Sequence, residues 1–164
     1  MESIKKDVME LLKENSRTSA ADMEVMPKDE AQAVLEAIRA LEDEKLILKY
    51  TAILNEEKLA DSHAVTALIE VRVSPMREMG FDAIARRIYR FEEVESVFLM
   101  SGAYDLMVLI KGDSMRQIAF FVAQKLATID GVLSTATHFV LKKYKELGVV
   151  FETAEEEARL PVTP

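Results

Sequence analysis

Cysteine and tryptophan are absent from this 164-residue chain, and glycine and proline number only five and four. Without cysteine neither disulfides nor thiolate metal sites can form, which removes disulfide scaffolds and cysteine-based zinc modules from consideration. The five glycines do not cluster, so no Gly-rich loop is available to cradle a phosphate. Histidine is equally scarce: His63 and His138 stand far apart, no spacing supports a metal site, and both read as structural. No Gly-x-Ser-x-Gly or triad-like arrangement is present, so nothing points to an enzyme, and no cofactor is called for. Basic residues are in deficit, with 21 Lys and Arg against 29 Asp and Glu and a net charge of −8. That surplus opposes non-specific binding to phosphate backbones, which attract cations. No apolar run approaches the roughly 20 residues a bilayer span needs. The opening MESIKKDVMELL mixes charges with apolar residues, unlike a signal peptide. The expectation is a cytoplasmic protein with no membrane partner.

What is present is enough to fold: 49% of residues are hydrophobic and 7% aromatic. Ile4, Val8, Leu11 and Leu12 form the stripe of an amphipathic helix ending near Asn15. Thr18 or Ser19 can cap a short second helix carrying Ala21, Met23 and Val25. Pro27 suits the first turn of a third, whose face is Ala31, Val34, Leu35, Ile38 and Leu41. Residues 46–54 are rich in strand formers and predict a small β-ribbon. Three short helices and a ribbon describe a winged helix-turn-helix over residues 1–54, followed by a polar linker over 55–63.

The pattern then changes. Between residues 65 and 73, Val65, Ala67, Ile69, Val71 and Val73 give one wholly apolar strand face and leave the other mixed. A helix follows, carrying Phe81, Ile84, Ala85, Ile88 and Phe91, then strands over 94–100 and 105–111. Gly112-Asp113-Ser114 supplies a turn and cap, Ile118, Phe121, Val122 and Leu126 a second helix, and residues 132–141 a last strand. The order β-α-β-β-α-β predicts an α+β fold of ferredoxin-like type over 64–151, with both helices on one sheet face. Leu68, Leu106, Val108 and Phe139 are expected on the uncovered face, where an exposed apolar patch implies a homodimer formed sheet to sheet. Nine methionines read as core filling. Residues 152–164 form an acidic tail.

These features carry a resemblance. The stretches "ALIEVRVSP", "GFDAIARRIYRFEEVESVFLMSGAYDLMVLIKG" and "GVLSTATHFVLKKYKELGV", behind a helix-turn-helix of about fifty residues, resemble the Lrp/AsnC, or feast/famine, family of transcriptional regulators. The resemblance implies a DNA-binding regulator whose homodimers assemble to tetramers or octamers. It also implies a small-molecule effector, usually an amino acid, bound at dimer-dimer contacts by the loop between the second and third strands. The residues it assigns are Met100, Ser101, Gly102, Ala103, Tyr104 and Asp105, with Thr135 and Thr137 of the last strand. Gly102 allows a ligand close to the backbone, Asp105 can accept from an ammonium or from turn amides, and Tyr104 offers a flat wall with a hydroxyl. The same residues also fit an ordinary hairpin turn whose Asp caps itself. Siroheme decarboxylases share the two-domain plan, but their sites use histidine and arginine where this chain has residues 101–104.

The helical half departs from the family. Lys28 and Glu30 replace the expected turn glycine and capping serine, and Ala37 stands where an arginine usually precedes Ile38. Residues 28–44 hold two basic and six acidic residues, a net charge of −4. Either Lys28, Gln32, Arg39 and Lys49 contact DNA, with Gln32 suited to adenine and oligomerisation multiplying weak contacts, or the module is a degenerate helix-turn-helix on a metabolite-binding oligomer. A solvated helix face accounts equally for the acidic residues.

Overall fold

A computed structural model describes residues 2–18, 28–59, 64–74 and 80–151, with the backbone alone for Glu2, residues 28–31 and Glu57. The expected second helix, Pro27, His63 and the tail over 152–164 lie outside the described residues. The chain forms two compact units, Met1–Leu54 and Asn55–Pro164.

In the first unit, α1 (Glu2–Glu14) and α2 (Lys28–Asp43) enclose a small core of Val8, Val34, Ala37 and Leu41, against which Ile4, Leu12, Ile38 and Ile47 pack. Ile4, Val8 and Leu12 recur every four residues, which keeps one stripe of α1 turned inward. The Leu41 carbonyl accepts from the N–H groups of both Leu46 and Ile47, closing the C-terminus of α2 after Lys45, whose φ is 60°. Beyond it the predicted ribbon is absent: residues 46–54 join no ladder among the described residues. Strand propensity needs a partner strand to express it, and the described residues of this unit supply none. Leu48 and Leu54 are consequently exposed.

The second unit opens with a single 3-10 turn, Glu56–Lys58, whose Glu56 pairs with Lys111. This turn is the first part of the polar stretch expected as a linker, and the Glu56–Lys111 pair holds it against the second unit. The strands β1 (Val65–Val73), β2 (Val94–Leu99), β3 (Leu106–Gly112) and β4 (Val132–Phe139) form one antiparallel sheet in the order β2-β3-β1-β4. Two helices cross over: α3 (Gly80–Ile88), and α4 (Met115–Phe121), which continues as a π turn over Val122–Leu126. This is the ferredoxin-like βαββαβ arrangement. Ser114 caps α4 by accepting from the Gln117 N–H at 3.2 Å, while the Gln117 side chain accepts from the Asp113 N–H at 2.6 Å. A short hairpin, β5 (Lys145–Glu146) with β6 (Val149–Val150), ends the described chain and was not foreseen.

The core consists of Ala67, Ile69, Val71 and Val73 of β1, Leu106, Val108 and Ile110 of β3, and Ile84, Ile88, Ile118, Phe121 and Leu126 from the helical layer. The alternation expected of β1 is therefore present. The face assigned to β3 and to Phe139 is corrected. Val108 lies opposite Ile69 and Phe139 opposite Ala67, so Leu106, Val108 and Phe139 face the helices. The uncovered face instead presents Leu68 and Glu70, Phe98, Met107 and Leu109, and Ala136 and His138. It is mixed, with Phe98 exposed and His138 Nε2 lying 3.3 Å from the Glu70 carboxylate.

Candidate functional site

The loop between β2 and β3 is closed at its base by the ladder. The Met100 N–H donates to the Asp105 carbonyl at 2.8 Å, and the Asp105 N–H donates to the Val71 carbonyl at 3.1 Å. The Asp105 carboxylate reaches across to β1, where Oδ2 accepts from the Val73 N–H at 2.8 Å. Asp105 thereby satisfies an amide at the irregular end of β1, where the β4 register shifts between Arg72 and Val73. One carboxylate oxygen is thus committed to the fold, on an amide of β1 and not on one of its own turn.

Above this base the loop is open. Met100, Ser101, Gly102 and Ala103 are exposed, while Tyr104 and Asp105 are half-buried. Gly102 has φ +152°, with nothing within 4 Å of the position a Cβ would take. Glycine is here for backbone conformation, since the surrounding space would admit a side chain. Among the described residues no hydrogen bond engages the main-chain N–H of Ser101, Gly102, Ala103 or Tyr104. Four consecutive unpaired amides beside a glycine can receive a carboxylate or another small anion.

Thr135 and Thr137 lie opposite Val71 and Ile69, so both are on the helix-covered face and both are half-buried. Leu106 and Thr135 flank Val71 on either side, which places them two strand spacings, roughly 10 Å, apart. Thr135 thus shares the loop's end of the sheet, and Thr137 is one inward-facing position further away.

In the first unit Gln32 and Arg39 are both exposed and stand seven residues apart, two turns along one side of α2. Between them Glu36 accepts from the Gln32 side-chain amide at 3.1 Å. Lys49 is exposed in the unpaired segment, and the Lys28 side chain lies outside the described residues. Part of the acidity is held internally: Glu44 pairs with Lys5 at 2.6 Å, and Glu42 accepts from the Tyr50 hydroxyl at 3.0 Å. Burial, followed by the hydrogen bond to Glu42 and its charge, pushes the Tyr50 pKa upward. Among the described residues no three His, Asp or Glu side chains gather as a metal site, and no helix is long and apolar enough to cross a membrane.

A helical unit followed by a βαββαβ domain with an open glycine loop between its middle strands defines a class, that of two-domain proteins with a ferredoxin-like second half. The Lrp/AsnC ligand binding domain matches residues 66–150. An uncharacterized HTH-type transcriptional regulator of Bacillus subtilis, YugG, is 48% identical over 161 residues, covering 96% of this chain and 95% of the relative. The chain belongs to the Lrp/AsnC family. A proline dehydrogenase transcriptional activator of Rhizobium radiobacter is 26% identical over 142 residues, covering 87% of this chain and 90% of its own. Two solved structures share the fold. The leucine response regulatory protein of Mycobacterium tuberculosis has a TM-score of 0.72 at 21% identity, covering 90% of this chain and 97% of its own. A Neisseria meningitidis transcriptional regulator in complex with L-Met has 0.70 at 23%, covering 89% and 93%.

Proposed function

We propose that this protein is a cytoplasmic, non-enzymatic transcriptional regulator in which a small effector at residues 100–105 alters assembly and, through assembly, DNA binding. The division is a DNA-binding domain over 1–54, a linker over 55–63, an effector and oligomerisation domain over 64–151 and a tail over 152–164. The observation that carries the reading is the exposed loop with four unpaired amides at Gly102, held in place by Asp105 on β1. Such a loop suits the carboxylate of an amino acid, and a regulator of the same fold has been solved with L-Met. Thr135 and Thr137 add hydroxyls at the margin of the site. The apolar part of the uncovered sheet, Leu68, Phe98, Met107 and Leu109, supports a homodimer formed sheet to sheet, with dimers joining into tetramers or octamers. Ligand and DNA then influence each other's binding by the same factor, because both act on one assembly equilibrium.

Lys28, Gln32, Arg39 and Lys49 are the proposed DNA contacts, with Arg39 and Lys49 serving phosphate or guanine. The acidity of α2 favours a second reading, an effector-binding oligomer whose helix-turn-helix no longer engages DNA. Sequencing of sheared genomic DNA captured by the purified protein, with and without an amino-acid mixture, separates the two. Enrichment of discrete sites that changes with the mixture is the expected result. Absence of enrichment at low and near-physiological salt, from folded and oligomeric protein, refutes the DNA-binding reading.

A further inference from the structure

Charge is distributed unevenly along the chain. Residues 1–54 hold eight basic and twelve acidic residues, a net of −4. By contrast α3 with its following turn, residues 80–91, and α4 with its π turn, residues 115–126, together hold five basic residues and one acidic, a net of +4. Both segments belong to the helical layer, so a chain of net charge −8 carries one strongly cationic surface. Ile84 and Ile88 turn inward on α3, which sends Arg86 to the opposite side. The Tyr89 N–H bonds the Ala85 carbonyl at 2.9 Å and carries the helical path one residue further, and Arg86, Tyr89 and Arg90 are all exposed. On α4, Ile118 and Phe121 are buried while Arg116 is exposed.

Two of these five cations are engaged: Arg87 lies 3.5 Å from the Asp130 carboxylate, and Lys125 pairs with Glu93. Arg86, Arg90 and Arg116 make no hydrogen bond or ion pair among the described residues. Asp82 and Glu92, the acidic residues nearest in sequence to Arg86 and Arg90, are exposed and pair with neither. All three unpaired cations are arginine, whose planar fork engages phosphate oxygens two at a time. Arg86 and Arg90 stand four residues apart, about 6 Å along a helix, close to two phosphate steps of one DNA strand at about 3.4 Å of axis each. We propose that the outer face of the helical layer is a second, sequence-independent DNA-contact surface, on which Arg86, Arg90 and Arg116 hold phosphates of the duplex. The Tyr89 hydroxyl is a further donor of a kind that serves phosphate oxygens. The proposal rests on the DNA-binding reading above and adds a surface to it. Phosphate contacts supply essentially all sequence-independent affinity, which the acidic first unit opposes and the arginines of the second unit provide. A homodimer formed on the uncovered sheet face leaves the helical layer of each protomer on the outside, open to this partner.

The test is binding of the full chain to a fluorescent random-sequence duplex, followed across a salt series. Arg86→Gln/Arg90→Gln is expected to weaken binding at least about tenfold at 100 mM salt and to lower the salt slope by about two for each protomer engaged. Both side chains are exposed and unpaired, so Tm and oligomeric state should match the parent's. Arg86→Lys/Arg90→Lys keeps the charges and should keep the slope. Lys58→Gln/Lys145→Gln removes the same charge from exposed positions outside the helical layer, whose effect on distant phosphates is screened, and should leave binding within about twofold. Unchanged affinity and slope in Arg86→Gln/Arg90→Gln, tighter binding by that variant, or an equal loss in the lysine control overturns the inference while leaving the DNA-binding reading in place. A lower oligomeric state with unchanged DNA binding also overturns it and assigns the arginines to a contact between copies. Failure of the parent to bind the duplex even at low salt overturns both.

Discussion

Replacing Asp105 with alanine separates the two readings of the loop, because the same side chain can anchor the turn and touch a ligand. In the folded protein Asp105 Oδ2 accepts the Val73 N–H at 2.8 Å, and Val73 is only 5% exposed. Removing the carboxylate leaves a buried amide with no acceptor at the point where the β1–β4 register shifts. An orphaned buried N–H costs about 1–3 kcal/mol, so Asp105→Ala should destabilise the second unit by about 2 kcal/mol. For a domain near 100 residues that corresponds to a fall in Tm of about 10 °C. Asp105→Asn keeps an oxygen in place and loses only the charge assistance, about 1 kcal/mol. Urea unfolding of the two variants, together with hydrogen exchange at the Val73 amide, reads both effects. The expected order of stability is parent, then Asn, then Ala, with the largest gain in Val73 exchange for Ala. Asp105→Ala within 0.5 kcal/mol of the parent, or unchanged protection at Val73, refutes the anchoring role. Effector binding in Asp105→Asn adds the second half of the answer. A variant that keeps its fold but loses the effector assigns the remaining carboxylate oxygen to the ligand.

Leu41→Ala, at a position with 0% exposure in the first unit, should cost about 2–5 kcal/mol and unfold that unit selectively, leaving the core amides of the second unit dispersed in a two-dimensional NMR spectrum. Phe98→Glu places a charge on the uncovered sheet face and should lower the oligomeric state seen by light scattering without lowering Tm, since Phe98 is 53% exposed within the chain. The hydrogen bond from Lys125, outweighing desolvation, holds the Glu93 pKa below its usual 4.5. A depressed carboxylate pKa stabilises above the unfolded value and loses that contribution as pH falls through the folded value, so the stability difference between the parent and Lys125→Gln should shrink from pH 6 to pH 3. Both side chains are partly exposed, which limits the difference at neutral pH to ~0.5 kcal/mol. A difference independent of pH excludes the ion pair as its source.

The parts of the fold legible in sequence are those whose determinants are local. Alternation in β1 fixes its inward face because Thr66, Glu70 and Arg72 interrupt the apolar run on one side only, with Leu68 the single apolar residue among them. Ser114 and Gln117 stand three apart before an apolar stripe, and that spacing alone specifies a cap. In β3, Leu106-Met107-Val108-Leu109-Ile110 is continuously apolar, so periodicity carries no facing information and only the register against β1 decides. The assignment of Leu106 and Val108 to the uncovered face failed for that reason. Residues 46–54 show the complementary case, strand-forming side chains with no partner strand among the described residues of their own unit. The same distinction governs function. The loop is contiguous, and its Gly-x-Tyr-Asp signature is readable because one glycine and one carboxylate lie within four residues of each other. A cavity of about 170 Å³ in the second unit is assembled from four separated segments, beginning at Asn55, Ala64, Val140 and Phe151, and no spacing rule connects them. Its one sequence trace is Thr66, a polar residue on the mixed face of β1, indistinguishable there from a solvated threonine. The chain returns at Val140, whose N–H bonds the Thr66 carbonyl, and Asn55, which lines the same cavity, has its side-chain oxygen buried without a partner.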